Sequence, residues 1–259
     1  MILETKNLSV KYGEKLALDR VNIKVKRGQV VSIIGPNGSG KSTLIKAISR
    51  TVKHSSGEIY FQEKDILKIK NKIIAQEVAV LPQIKRCPKD LTVENLVSFG
   101  RYPHLGLGKK LNSRDKEIVS WAIESTGLKD YSGRLLYSLS GGERQRAWIA
   151  MALAQEPNTL ILDEPTTYLD ISYQIEVLEL IRELNKSLGL TVVMVLHDLN
   201  QAARYSDEIY VLKDGQVRHQ GDPKSTIDSL LLKEIFRIDA HIYEDEINDC
   251  PYFIPHKIK

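Results

Sequence analysis

The sequence predicts an α/β protein with parallel strands at its core, interrupted mid-chain by a helical insert. Three observations predict this. The apolar strand at residues 29–34 runs straight into the glycine loop Gly35-Pro36-Asn37-Gly38-Ser39-Gly40-Lys41-Ser42-Thr43, and a helical pattern follows. Residues 92–155 then read as helices and loops, with no strand of the buried parallel kind. Apolar strands return at 159–162 and 190–196, separated by a helix-length amphipathic stretch.

Each element has its own signal. Val21, Ile23 and Val25 alternate with Asn22, Lys24 and Lys26, the period of a half-buried strand, and Arg27-Gly28 turns the chain. The helix after the glycine loop is expected over 41–49. Gly141-Gly142 is expected to precede a helix over 143–155, with Ala147, Ala150, Met151 and Ala154 on its apolar face and Glu156-Pro157 ending it. Val177, Leu180, Ile181, Leu184 and Leu188 stand at helical spacing, and Gly189 stops that helix. Residues 209–213 and 216–219 flank Asp214-Gly215, a hairpin signal. The tail is expected to hold a helix over 230–237 and a terminal strand. The resulting division is a nucleotide-binding core (1–85 and 156–225), a helical insert (86–155) and a C-terminal extension (226–259) expected to serve as a final packing element.

Composition narrows the function. The 259 residues are 42% hydrophobic and 27% charged, ordinary for a globular protein, and suffice for a large core. A net charge of +4 without any basic run argues against nucleic acid as a partner. Cys87 and Cys250 lie far apart, outside any CxxC pair, which suits a reducing compartment. The longest apolar stretches are strand-length, and the start lacks the pattern of a secretion signal. The expected location is therefore cytoplasmic, with any membrane role exercised through a partner.

Three constellations carry chemistry. The loop matches GxxxxGK[ST]: its glycines let backbone N–H groups turn inward around phosphates, and the helix start adds its positive dipole end. Lys41 is expected to neutralise the β- and γ-phosphates, and the Ser42 hydroxyl to ligate Mg²⁺. Leu160-Ile161-Leu162-Asp163-Glu164 is an apolar strand ending in acids; Asp163 is suited to hold Mg²⁺ and Glu164 to polarise an attacking water. In Leu139-Ser140-Gly141-Gly142-Glu143-Arg144-Gln145, Ser140 is placed to cap a helix, with Glu143 three residues on completing a capping box. The glycines beside it offer a second anion site at a helix N-terminus.

A phosphate loop, then Leu-Ser-Gly-Gly-Glu-Arg-Gln, then Leu-Asp-Glu-Pro, in that order and separation, resembles the ABC ATPase family from Leu3 to about Gly221. The resemblance implies a RecA-like P-loop core with an antiparallel β subdomain and an inserted α-helical subdomain. It implies that ATP is sandwiched between Lys41 of one copy and Ser140, Gly141 and Gly142 of a second, related by a two-fold axis. It further implies that Tyr12 stacks on adenine, Gln83 touches Mg²⁺, Asp170 communicates across the dimer and His197 contacts the γ-phosphate. Glu143 replaces the family's commoner glutamine.

Gly100-Arg101-Tyr102-Pro103-His104 resembles the branch that energises siderophore, haem and vitamin B12 importers. Thr166-Thr167-Tyr168-Leu169-Asp170-Ile171 and the Trp148 helix resemble its ferric-siderophore subgroup, of the hydroxamate type. The implied activity is ATP hydrolysis driving uptake through membrane permease subunits, on the cytoplasmic face of the membrane. An extracellular binding protein would deliver substrate, and this chain would not bind iron or siderophore. A haem or vitamin B12 importer, or a non-transport ATPase of the same family, are the alternative readings.

Overall fold

The computed structural model describes residues 1–83, 88–106 and 109–258. Cys87 and the expected boundary between residues 85 and 86 lie outside them. The chain opens with strands β1 (Leu3–Tyr12), β2 (Lys15–Val25) and β3 (Val30–Ile34), then helix α1 (Lys41–Ile48) and strands β4 (Ser56–Phe61) and β5 (Lys64–Asp65). Next come α2 (Asn71–Glu77), β6 (Val78–Leu81), α3 (Val93–Ser98), α4 (Ser113–Ser125), α5 (Gly141–Ala154), β7 (Thr159–Asp163) and α6 (Ile171–Leu188). The last third holds β8 (Thr191–Val195), α7 (Leu199–Tyr205), β9 (Glu208–Lys213), β10 (Gln216–Gly221), α8 (Pro223–Thr226), α9 (Ser229–Ile235), β11 (Ile238–Asp245) and β12 (Cys250–Ile258). These form two compact units, residues 1–68 with 191–259, and residues 69–190.

In the first unit, β3 is buried along its whole length and pairs in parallel with β8 on one side and β9 on the other. Burial on both faces is why these strands read as continuous Val/Ile runs rather than alternating ones. The Asp214-Gly215 hairpin joins β9 to β10 as the sequence predicts, with Asp214 and Gly215 both at positive φ. A separate antiparallel sheet, in the order β2-β1-β4-β5, supplies the subdomain that the resemblance implies. Tyr210 joins the two layers. Its ring is buried, its hydroxyl donates to Lys24 O at 2.9 Å and accepts from Lys24 N at 3.0 Å, and burial pushes the phenol up to about 12.

The tail departs from the expectation of a helix and one strand. It is helix α9 followed by an antiparallel hairpin of β11 and β12. Alternation is weak here because most hairpin side chains are exposed, so no period-2 signal announces it. Asn200 on α7 grips the hairpin through both ends of its amide, donating to Phe253 O at 3.3 Å and accepting from Phe253 N at 3.0 Å. Leu231, Leu232 and Ile235 of α9 are buried.

In the second unit, β6 and β7 pair in parallel, and α5 packs against α3, α4 and α6. The expected insert, 86–155, lies here together with β6, β7 and α6. Gly189 ends α6 in the left-handed conformation, at φ 65°. The 99–104 stretch is a short 3₁₀ run with a structural job. Arg101 is buried, with Nε on Asp115 at 3.0 Å and Nη1 on Glu156 at 2.8 Å and Ala154 O at 2.7 Å. His104 Nε2 meets Gln155 O at 2.8 Å, and a Cβ on Gly100 would stand 2.2 Å from Met151 O. The segment therefore staples the C-terminal end of α5 to the N-terminal end of α4. Burial raises the Asp115 carboxyl, but hydrogen bonds from Asn112 N and Arg101 outweigh it and leave the group below the usual range.

Candidate functional site

The phosphate loop lies wholly in the first unit. Gly35, Gly38 and Gly40 sit at φ 147°, 79° and 107°, a region where L side chains are strained. Close packing adds a second constraint. A Cβ on Gly35 would stand 2.0 Å from Leu212 O, and one on Gly40 would stand 2.8 Å from Ala17 O. No side chain caps α1, and no acid lies in its first turn, so backbone donors face the loop. Lys41 Nζ donates to Gly35 O at 2.8 Å and Pro36 O at 3.1 Å, folded into the loop and only 5% exposed. Ser39 Oγ is buried without a hydrogen-bond partner, the kind of orphaned group that an incoming oxyanion satisfies. Inward donors, a buried ammonium and an orphaned hydroxyl fit a polyphosphate.

Tyr12 and His197 belong to the same unit. Tyr12 ends β1 and is 45% exposed, so core packing does not explain it. His197 follows β8 and is exposed.

The acidic strand end lies in the second unit. Asp163 is buried at the end of β7, and Glu164 follows at φ 55°. A non-glycine residue held there costs roughly 1–3 kcal/mol, and such strain gathers at functional positions. Gln83 Nε2 donates to Glu164 Oε2, and Thr167 Oγ1 donates to the same oxygen at 3.0 Å. The structure thus brings Gln83 and Glu164, both singled out from sequence, into direct contact. In the sequence Thr167 stands out only as part of a family-like stretch. Its position three residues after Glu164 was the available signal, since side chains at that spacing meet around a turn. Asp163 is a hard oxygen donor of the kind that suits Mg²⁺.

The third constellation is also in the second unit. Gly141 and Gly142 do not precede α5; they form its first turn, because Ser140 supplies the cap. Ser140 Oγ accepts from Glu143 N at 3.2 Å, while the Glu143 carboxylate accepts from Ser140 N at 2.7 Å. That reciprocal box stabilises the helix start by about 0.5–2 kcal/mol. The hydrogen bond from Ser140 N, outweighing partial burial, holds the Glu143 carboxyl below the usual range. Gly142 is buried under Tyr173: a Cβ there would stand 2.3 Å from the ring, and one on Gly141 would stand 3.1 Å from Leu169 Cδ2. This packing onto Leu169 and Tyr173 was invisible in the sequence. Between them lies Asp170, exposed at the N-cap of α6 without capping it. Tyr168 and Ile171 beside it are 95% and 75% exposed.

Together the parallel core, the phosphate loop and the signature helix define the ATP-binding ATPase subunit of ABC transporters. The ABC transporter family matches residues 18–167, more than half of the chain, and the chain belongs to that family. It is similar to the petrobactin import ATP-binding protein of Bacillus anthracis, 48% identical over 95% of this chain and 90% of that one. It is also similar to the iron(3+)-hydroxamate import ATP-binding protein of Bacillus subtilis (strain 168), 44% identical over 99% of this chain and 95% of that one. Among solved structures, a chain of a metal-chelate-type ABC transporter in an inward-facing conformation aligns with a TM-score of 0.87. It is 27% identical and covers 99% of this chain and 97% of its own. Tyr12, Asp170 and His197 fall outside the matched family segment. No helix among the described residues is long and apolar enough to cross a membrane.

Proposed function

We propose that this chain hydrolyses ATP to drive uptake of ferric siderophores through a membrane permease, as a peripheral subunit on the cytoplasmic face. The observation that carries the reading is the pair of anion sites in one chain. Hydrogen-bond donors for phosphate cluster at residues 35–43 before the uncapped start of α1, and a glycine-rich helix start capped by Ser140 opens α5. A two-fold dimer uses both at once, since each nucleotide bound by Lys41 of one copy is then completed by Ser140, Gly141 and Gly142 of the other. The exposed Tyr168 and Ile171 beside Asp170 are apolar surface of the kind a second copy would cover.

The residues have separable roles. Tyr12 stacks on the adenine ring, and backbone N–H groups of the loop from Gly35 to Thr43, among them those of Asn37, Gly38, Ser39 and Gly40, surround the phosphates, while Pro36, which has no N–H, shapes the turn. Lys41 leaves the carbonyls of Gly35 and Pro36 for the β- and γ-phosphate oxygens. Ser42, Gln83 and Asp163 would hold Mg²⁺, which would supply neutralisation of phosphate charge. Glu164 accepts a proton from the attacking water once Gln83 releases it, Thr167 keeping its carboxylate oriented. His197 contacts the γ-phosphate, and Asp170 carries the state of one site to the other.

Siderophore selection belongs to the permease and an extracellular binding protein. The two relatives are named for different cargoes, petrobactin and iron(3+)-hydroxamate, which supports ferric siderophores as the class without fixing the compound. The test is uptake of labelled ferric siderophores by cells carrying Lys41→Ala. Uptake of the cognate type is expected to cease. Unchanged uptake of both hydroxamate and catecholate types, with loss of haem or vitamin B12 uptake instead, would overturn the substrate assignment.

A further inference from the structure

Glu143 stands where the family more often has a neutral glutamine, and its carboxylate is not pointed away from the anion site. It is bound to Ser140, the residue that would meet the partner copy's γ-phosphate. Its Oε2 takes the Ser140 N–H at 2.7 Å, and its own N–H lies on Ser140 Oγ at 3.2 Å. Two consequences follow from the geometry. One backbone donor of the helix start is withdrawn from an incoming oxyanion. One full negative charge is fixed within a few ångströms of where that oxyanion would arrive.

Neighbouring positive charge is partly committed elsewhere. Arg146, whose charge also acts on the Glu143 carboxylate, is paired with Glu176 at 2.6 Å, and Arg144 Nη2 holds Leu139 O at 3.0 Å. Glutamine in place of Glu143 would keep the acceptor for Ser140 N–H and remove the charge alone. The cap and the charge are therefore separable by substitution.

We infer that the Glu143 carboxylate opposes nucleotide-driven closure of the dimer, acting as a fixed electrostatic brake that favours reopening. The inference rests on the proposed ATP-sandwich reading. A unit charge several ångströms from a polyphosphate near solvent shifts an equilibrium by roughly five- to tenfold. Added salt screens that shift. Pure helix capping predicts the opposite sign, because weakening the cap loosens the helix start and weakens closure.

The experiment uses full-length protein carrying Glu164→Gln, so that ATP is held and not turned over. Dimer formation is followed by light scattering against ATP concentration at low and high salt. Adding Glu143→Gln is expected to lower the half-saturating ATP concentration about five- to tenfold at low salt, and less at high salt. Glu143→Asp, which keeps the charge, is expected to give no tightening. Glu143→Gln dimerising at the same or higher ATP concentration than its parent overturns the brake, as does equal tightening by Glu143→Asp. A parent that stays monomeric at saturating ATP and Mg²⁺ overturns the sandwich reading and the inference with it, so the two failures are distinguishable.

Discussion

At the scale of single residues, the site is organised by conformations that few side chains tolerate. Gly35 is held at positive φ with a carbonyl where its Cβ would be. Gly35→Ala is therefore expected to abolish nucleotide binding and lower the thermal midpoint, measured by nucleotide fluorescence titration and calorimetry. Glu164 shows the reverse case, a long side chain kept at φ 55° and gripped by Gln83 and Thr167. With Glu164→Gln, turnover is expected to fall by about 10²–10⁴-fold while ATP affinity is retained, the signature of a lost general base. Gly142 was legible from sequence only as a donor beside an anion site. The structure adds a steric duty, because the Tyr173 ring lies over it. Gly142→Ala is expected to destabilise the protein, and Tyr173→Ala added to it should restore part of that loss. Full additivity in a double-mutant cycle would show that the two do not interact.

At the scale of elements, the stretch Gly100 to His104 changes meaning. In the sequence it resembles a family marker, and its buried side is a staple made by Arg101, Asp115, Glu156 and two carbonyl oxygens. Arg101→Ala leaves Asp115 buried without its cation, at a cost of roughly 3–5 kcal/mol, readable as an early unfolding transition in denaturant. The Asp115 carboxyl lies below its ordinary value in the folded chain. Its contribution is thus present above the unfolded value of about 3.9 and lost as pH falls through the lowered folded one. Asp115→Asn should flatten the acid limb of the stability curve below about pH 4. The tail yields a matching expectation. Leu232 is fully buried on α9, so Leu232→Ala should cost about 2–5 kcal/mol. ATPase activity per folded molecule should be unchanged; a change would assign the tail a regulatory role.

At the scale of the whole molecule, the sequence by itself determined the class of protein. Phosphate loop, signature and acidic strand end are contiguous motifs, and each works through backbone geometry that a few glycines, a capping serine and a run of β-branched residues impose locally. Local causes leave local traces, so the parallel strands around residues 30–34 and 191–195, the Asp214-Gly215 hairpin and the Gly189 helix stop could all be read in order. Tertiary structure decided what depends on residues distant in the chain. Gln83 reaches Glu164 across 81 positions, Tyr210 reaches Lys24 across 186, and the 238–258 hairpin is anchored through Asn200. None of these pairs shares a period or a motif, since a contact between distant residues is fixed by packing and leaves no signal at either end. The signature helix shows the division most plainly. Its cap was written in Ser140 and Glu143, but the burial of Gly142 beneath Tyr173 arises only where α5 packs on α6.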